Sequence, residues 1–148
     1  MGTGRMVNDD YGATADLKTM SEQDYRDAKA YHRRAIQFLN AGYAGSLVFN
    51  VASVALERYL VAICEWHGVE PMSHNFIGLM HEVDKLMDVP HETSRDVRSL
   101  DHIFGICFLD NYHHGEPQDD DRDKVLRLCN EVCRLCEEKG LTYENVPN

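Results

Sequence analysis

Cations are scarce in this chain, and no basic run occurs in it. Lys and Arg together number 15 against 25 Asp and Glu, which gives a formal net charge of -10. A field of that sign repels nucleic acid at long range, so binding nucleic acid would need a local basic cleft. The composition therefore argues against a nucleic-acid partner without excluding such a cleft.

Segments typical of secreted and membrane proteins are also missing. Residues 2–19 are polar and lack the apolar core of a secretory signal. The most apolar stretch is interrupted by Asn50, Ser53, Glu57 and Arg58, so we expect no membrane span. Five cysteines are an odd number and do not form the pattern of a disulfide framework. We predict a reducing, cytoplasmic setting.

No run alternates as a strand does, and no Gly-rich phosphate loop is present. Apolar residues recur instead at helical spacing, between glycine and proline stops. The sequence predicts an all-α fold, an up-down bundle of about five antiparallel helices with a flexible N-terminal arm. We assign the arm to residues 1–20, the bundle to residues 21–140 and a C-terminal tail to residues 141–148.

Capping residues predict where the helices begin. Ser21 is expected to cap the first helix and Ser73 the third, because a serine hydroxyl accepts from a free backbone amide. The second helix, from about Tyr43 to His67, is apolar around most of its circumference and must be surrounded by the others. A fourth helix is predicted from about Thr93 to Asn111, and a fifth from Asp119.

A polar stripe interrupts the second helix. Ser46, Asn50, Ser53 and Glu57 are spaced four, three and four residues apart, so they share one narrow face. One interpretation is a solvated edge. The other is the wall of a polar cleft or a hydrogen-bonded subunit contact, because a merely solvated stripe would accept Lys and Glu equally well. The sequence leaves both open.

We interpret three cysteines as core residues and two histidines as surface residues. Cys129, Cys133 and Cys136 recur at helical spacing and are expected on the core face as small hydrophobic residues. His32 and His91 are expected at the surface, with no assigned role.

Four segments share the pattern of a known family. They are Asn40–Tyr43 at the end of the first helix, Phe49–Ala62 in the second, Gly68 after it, and Ser73–Phe76 before the third. With them, residues 25–86 resemble the HEPN superfamily of helical domains. The resemblance implies a four- or five-helix bundle, usually a homodimer. It also implies relatives that cut RNA or partner small nucleotidyltransferases in toxin–antitoxin systems.

The catalytic motif of active HEPN members, an Arg, four to six intervening residues and then a His, is missing from its usual place. Here that place precedes His113 and His114, and residues 106–109 contain no Arg. Without a guanidinium, charge stabilisation of a scissile phosphate is lost. Arg95 and His102 match the spacing elsewhere, which we interpret as coincidence.

The segment before the fifth helix is the most polar candidate for function. Asp110, Asn111, His113 and His114 lie in it, and we expect them to line a ligand site or interface with the stripe. His113, His114 and Glu116 also contain metal-ligand chemistry. Adjacent histidines cannot easily reach one ion, so we expect neither a metal nor another cofactor.

Three hypotheses follow. The first is a non-catalytic HEPN-like binding module, dimeric, holding a nucleotide or partnering a nucleotidyltransferase. The second is a metal-independent ribonuclease in which Arg95 holds phosphate, His102 or His114 acts as acid or base, and Glu57 orients the histidine. The third is a structural dimeric scaffold.

Overall fold

The chain is an all-α bundle of helices, as predicted. The computed structural model describes residues 2–103 and 117–141, with side chains from residue 16 onward. No strand occurs in this part of the chain. The helices are α1 (Gly2–Asn40), α2 (Gly45–Trp66), α3 (Phe76–Leu86), α4 (His91–Ser99) and α5 (Asp119–Glu138).

Helix α1 begins at Gly2, which corrects the predicted start at Ser21. Ser21 does not cap a helix: it is fully buried, and its hydroxyl donates to the Ala62 carbonyl of α2 at 2.8 Å. Farther toward the N-terminus, the Lys18 ammonium lies 3.5 Å from the centroid of the Trp66 ring. Lys18 thus reaches the last residue of α2, and position 20 is not a boundary in secondary structure.

Helix α2 is the central element, as its apolar circumference predicted. Its largest fully buried side chains include Phe49, Leu56, Leu60 and Ile63. It is also long and apolar enough to cross a membrane by length and composition alone, but 67% of its most apolar window is buried inside the bundle. The apolar surface of α2 is therefore used by the core.

The directions of the helices follow from contacts along α2. Helix α1 is antiparallel to it, because Lys18, Ser21 and Asp24 contact successively earlier residues of α2. Helix α5 runs parallel to α2: the Cys129 and Cys136 thiols donate to the carbonyls of Ala52 and Tyr59. The turn between α1 and α2 uses Gly42 at φ +83°, a left-handed conformation that favours glycine.

Helices α3 and α4 differ from their predicted bounds. Asn75, not Ser73, caps α3, and its side-chain oxygen accepts from the Gly78 amide at 2.7 Å. Helix α4 ends at Ser99, and Leu100 forms a turn before residues 101–103 resume helical structure. The amide of Leu100 bonds to the Val97 carbonyl, three residues back, which tightens the last turn and breaks the predicted continuous helix.

Helix α5 begins at Asp119 as predicted, and a reciprocal capping box closes its start. The Gln118 amide donates to the Asp121 carboxylate at 2.9 Å. Cys129, Cys133 and Cys136 are buried, which confirms their assignment to the core face.

Candidate functional site

Three residues of the polar stripe line a cleft of about 350 Å³ between α2 and the start of α3. Helical spacing places Asn50, Ser53 and Glu57 on one face of α2, and Ser46 does not reach the cleft. We call this space the α2–α3 cleft. Its other lining residues are Val54, His74, Asn75, Phe76 and Asp101. Asn50 is exposed and Ser53 is buried, so the stripe runs from solvent into the wall of the cleft, and both interpretations of it stay hypotheses.

A carboxylate and an imidazole meet at the rim of this cleft. The Glu57 Oε2 atom lies 2.9 Å from the His74 Nδ1 atom. The contact is an ion pair when His74 is protonated and a hydrogen bond from Nδ1 when the ring is neutral. Either way the carboxylate fixes the ring, and the Nε2 atom becomes the side of the imidazole that is left for another group.

The N-terminus of α3 is already occupied by protein oxygens. The Asp101 carboxylate accepts from the amides of Phe76 and Ile77 at 3.0 and 2.8 Å, while Asn75 accepts from Gly78. A free helix N-terminus attracts phosphate, but these amides are taken. The cleft therefore does not offer an anion site at this helix.

Ser53 provides the least expected feature of the cleft. Only 4% of the residue is exposed, and its Oγ atom has no hydrogen-bond partner among the described residues. A buried hydroxyl without a partner costs roughly 1–3 kcal/mol relative to a satisfied one. A bound group that donates to or accepts from this oxygen would remove that cost.

The charge around the α2–α3 cleft is negative. Glu57 and Asp101 line it, and none of its described lining residues is Lys or Arg. The neighbouring Arg58 is directed to the other side, where it contacts Asp24 at 2.8 Å. Arg95 and His102 do not line the cleft. Arg95 contacts Asp96 on α4 and His102 is exposed beyond the Leu100 turn, so Glu57 orients His74 rather than His102.

The remaining predicted site residues fall outside the described part of the chain. They are Asp110, Asn111, His113, His114 and Glu116. Within residues 2–103 and 117–141, no group of three or more His, Cys, Asp or Glu side chains is placed to hold a metal ion.

Sequence reasoning missed a second cleft, on the α1 side of α2. It measures about 360 Å³, and its carboxyl groups are those of Asp24, Asp27, Glu65 and Glu70. We call it the acidic cleft; it shares His74 with the α2–α3 cleft. Burial, and then the neighbouring carboxyl of Asp24, raise the pKa of Glu65 to about 8.

Sequence reasoning also placed His32 wrongly. The expectation was an exposed ring, yet His32 is 8% exposed and its Nδ1 atom lies 2.9 Å from the Tyr59 hydroxyl. Burial, and then the charge of Lys29, lower the pKa of His32. The signal was available: His32 lies four residues after Ala28 and three before Ala35, both fully buried, so the three share a face.

Comparisons with protein-family models, with curated proteins and with solved structures find no match to this chain. The HEPN resemblance, the homodimer and the nucleotidyltransferase partner therefore stay predictions.

Proposed function

We propose that this chain is a non-catalytic binding module whose α2–α3 cleft holds a compact, uncharged, hydrogen-bonding ligand of the nucleoside class. The observation that carries the proposal is the Ser53 hydroxyl, buried in the cleft wall without a partner among the described residues. A ligand polar group supplies the missing hydrogen bond.

The other lining residues favour a base or nucleoside over a simple apolar molecule. The Asn50 amide offers both a donor and an acceptor, the pairing that recognises the edge of a base. Val54 and Phe76 supply apolar surface beside it. A volume of about 350 Å³ lies at the lower end of the range for small-molecule pockets, which suits a compact ligand.

Charge narrows the class to uncharged ligands. The Glu57 and Asp101 carboxylates repel phosphate, and the α3 amides that would bind it are occupied by Asp101 and Asn75. The expectation of a nucleotide is thereby sharpened: we propose that the base and sugar enter the cleft and that phosphates do not.

Calorimetric titration tests this proposal. The four common nucleosides are titrated into the protein, each beside its 5′-monophosphate. We expect one or more nucleosides to bind, each at least about ten-fold more tightly than its monophosphate.

Two variants locate the binding. Ser53→Ala should weaken it about ten-fold, because the ligand loses a buried hydrogen-bond partner. Ser46→Ala, on the same stripe but outside the cleft, should bind as the unaltered protein does. Failure of all four nucleosides to bind at millimolar concentration would reject the proposal.

The HEPN resemblance supports the rest of the proposal, a homodimer that partners a nucleotidyltransferase. Light scattering on the unaltered chain tests the first part. A monomeric protein that binds nucleosides would restrict the proposal to ligand binding alone.

A second function, ribonuclease activity, is favoured by one observation. The Glu57–His74 contact resembles the carboxylate-oriented imidazole of a general acid or base. This contact involves none of the predicted residues Arg95, His102 and His114, and no arginine is among the described residues that line the cleft beside it. Incubation with a mixed RNA pool tests it: cleavage that His74→Ala abolishes and His102→Ala spares would establish this function over the first.

A further inference from the structure

We propose that the acidic cleft binds a primary alkylammonium group, with the Glu65 side chain as its innermost hydrogen-bond acceptor. This site lies on the α1 side of α2 and does not depend on the function proposed for the α2–α3 cleft. It is carried by one unpartnered buried oxygen, by the balance of charge and by the apolar residues of the lining.

Glu65 is the buried group that lacks a partner. Only 3% of the residue is exposed, it lines the acidic cleft, and its Oε1 atom accepts no hydrogen bond from any described residue. Buried carboxyl oxygens are normally hydrogen-bonded. In its ionised form Glu65 needs a donor at this oxygen, and Glu65 lines the acidic cleft, where a ligand would supply one.

The surrounding charge selects a cationic donor over a hydroxyl. Glu65 shares the cleft with the carboxylates of Asp24, Asp27 and Glu70. Among the described lining residues the one guanidinium is that of Arg58, and it contacts Asp24 at 2.8 Å. The imidazole of His74 contacts Glu57 at 2.9 Å. Carboxylates remain in excess, so the field in the cleft favours a positive ligand.

The apolar residues of the acidic cleft favour a ligand that carries an alkyl chain. Met20, Val61 and Pro71 provide apolar surface beside the carboxyl groups. Methylene groups gain free energy when such surface covers them, whereas a bare metal ion or ammonium gains nothing from it. An ammonium on a short aliphatic chain fits both parts of the lining.

Binding should release a proton from Glu65. Its raised pKa means that the carboxyl carries its proton at pH 7 when the cleft holds no amine. The groups that face it are Asp24 and Asp27 of α1, Arg58 of α2, and Glu70 and His74 of the connection to α3. An ammonium beside the Glu65 oxygen favours the carboxylate, so the proton leaves to solvent as the amine binds.

Calorimetry with 1,4-diaminobutane tests the site, in two buffers of unlike ionisation enthalpy and at matched salt. The neutral isostere butane-1,4-diol and the monoamine 1-aminobutane are the comparison ligands. We expect both amines to bind and the diol not to bind. Proton release should approach one per site at pH 7 and vanish near pH 9.

Two variants separate the site from general attraction to an acidic protein. Glu65→Gln should weaken amine binding at least about ten-fold and abolish proton release. Glu92→Gln removes an exposed carboxylate on α4 and should change neither. Equal binding by the diol, no amine binding at about 10 mM, or unchanged binding in Glu65→Gln would each overturn the proposal. None of these results bears on nucleoside binding in the other cleft.

Discussion

Helix α2 contacts its neighbours in two different ways. Toward α5, the Ala52 and Tyr59 carbonyls accept from buried thiols. Toward α1, the Tyr59 hydroxyl is paired with His32, whose Nε2 atom has no partner among the described residues. Toward the two clefts, Ser53 and Glu65 are also buried and keep an oxygen without a partner among the described residues. The polar groups that face α5 are thus paired within the packing, whereas Ser53 and Glu65 line the clefts in which we propose ligands.

The largest expected effect is loss of packing on the α5 side. Leu56 is fully buried and lies four residues after Ala52. Leu56→Ala should lower the free energy of unfolding by about 2–5 kcal/mol, because the bundle cannot fill the cavity. Val54→Ala, in the half-buried wall of the α2–α3 cleft, should cost less than about 1.5 kcal/mol. If urea denaturation gave the same loss of unfolding free energy for both variants, the packed side and the cleft side of α2 would not differ in the way described.

The next effect is the pH dependence that Glu65 imposes. In the folded state the Glu65 carboxyl keeps its proton up to about pH 8, whereas in the unfolded chain it releases the proton near the ordinary pKa of 4.5. The stabilising contribution of Glu65 should therefore be full below about pH 4.5 and be lost as the pH rises through 8, by roughly 3–5 kcal/mol.

Glu65→Gln isolates this contribution. The variant should lose stability less steeply between pH 5 and 8, and the difference curve against the unaltered protein gives the contribution of this carboxyl. Parallel curves would show that burial of Glu65 carries no free energy.

The paired histidine on the packed side provides a third test. Tyr59→Phe removes the hydroxyl that contacts His32, leaving a buried nitrogen without that partner. We expect a loss of about 1–3 kcal/mol by thermal or chemical unfolding. Tyr43→Phe is the matched control because Tyr43 is 54% exposed, and its cost should stay within about 0.5 kcal/mol.

A smaller loss is expected where the α2–α3 cleft meets α3. Asp101→Asn weakens the acceptor of the Phe76 and Ile77 amides and removes a negative charge from a helix N-terminus. The free energy of unfolding should fall by about 1 kcal/mol. Asp88→Asn, an exposed aspartate after α3, should leave it unchanged.

The smallest effect on stability is expected for Ser53→Ala, and this variant best separates a polar group that serves ligand binding from one that serves packing. Ser53→Ala deletes a buried hydroxyl that has no partner in the described structure, so stability should change by less than about 0.5 kcal/mol or rise. The same change should weaken nucleoside binding about ten-fold. A loss of stability as large as that of Tyr59→Phe would mean that the hydroxyl belongs to the packing after all.

The helical periodicity of apolar residues predicted the fold, because the spacing of these residues in α2 and α5 indicates which faces of the helices are buried. The same rule placed Asn50, Ser53 and Glu57 on one face and Cys129, Cys133 and Cys136 on another. What it could not supply was the identity of the facing residues. His74 and Asp101 lie 17 and 44 positions from Glu57 along the chain, and only the fold brings them to the α2–α3 cleft.

Three of the misses have a common physical cause. Each is a polar residue whose partner lies on another helix: Ser21 bonds to Ala62, His32 to Tyr59, and Glu65 lies beside Asp24. Local rules assign such residues to caps or to the surface, because they consider only neighbours in sequence. The start of α1 was missed for a different reason: residues before 21 show no apolar stripe of their own.

The buried thiols can report how often the core of the bundle opens. Cys64, Cys129 and Cys136 are enclosed, and burial raises the pKa of Cys64 to about 12 and also raises the pKa of Cys129 and of Cys136 above the ordinary value. Because the thiolate is the reactive form, an alkylating reagent must wait for α2 and α5 to separate. Cys107 lies outside the described residues and is changed to serine for this measurement. The alkylation rate of the buried thiols would then report how often the core opens.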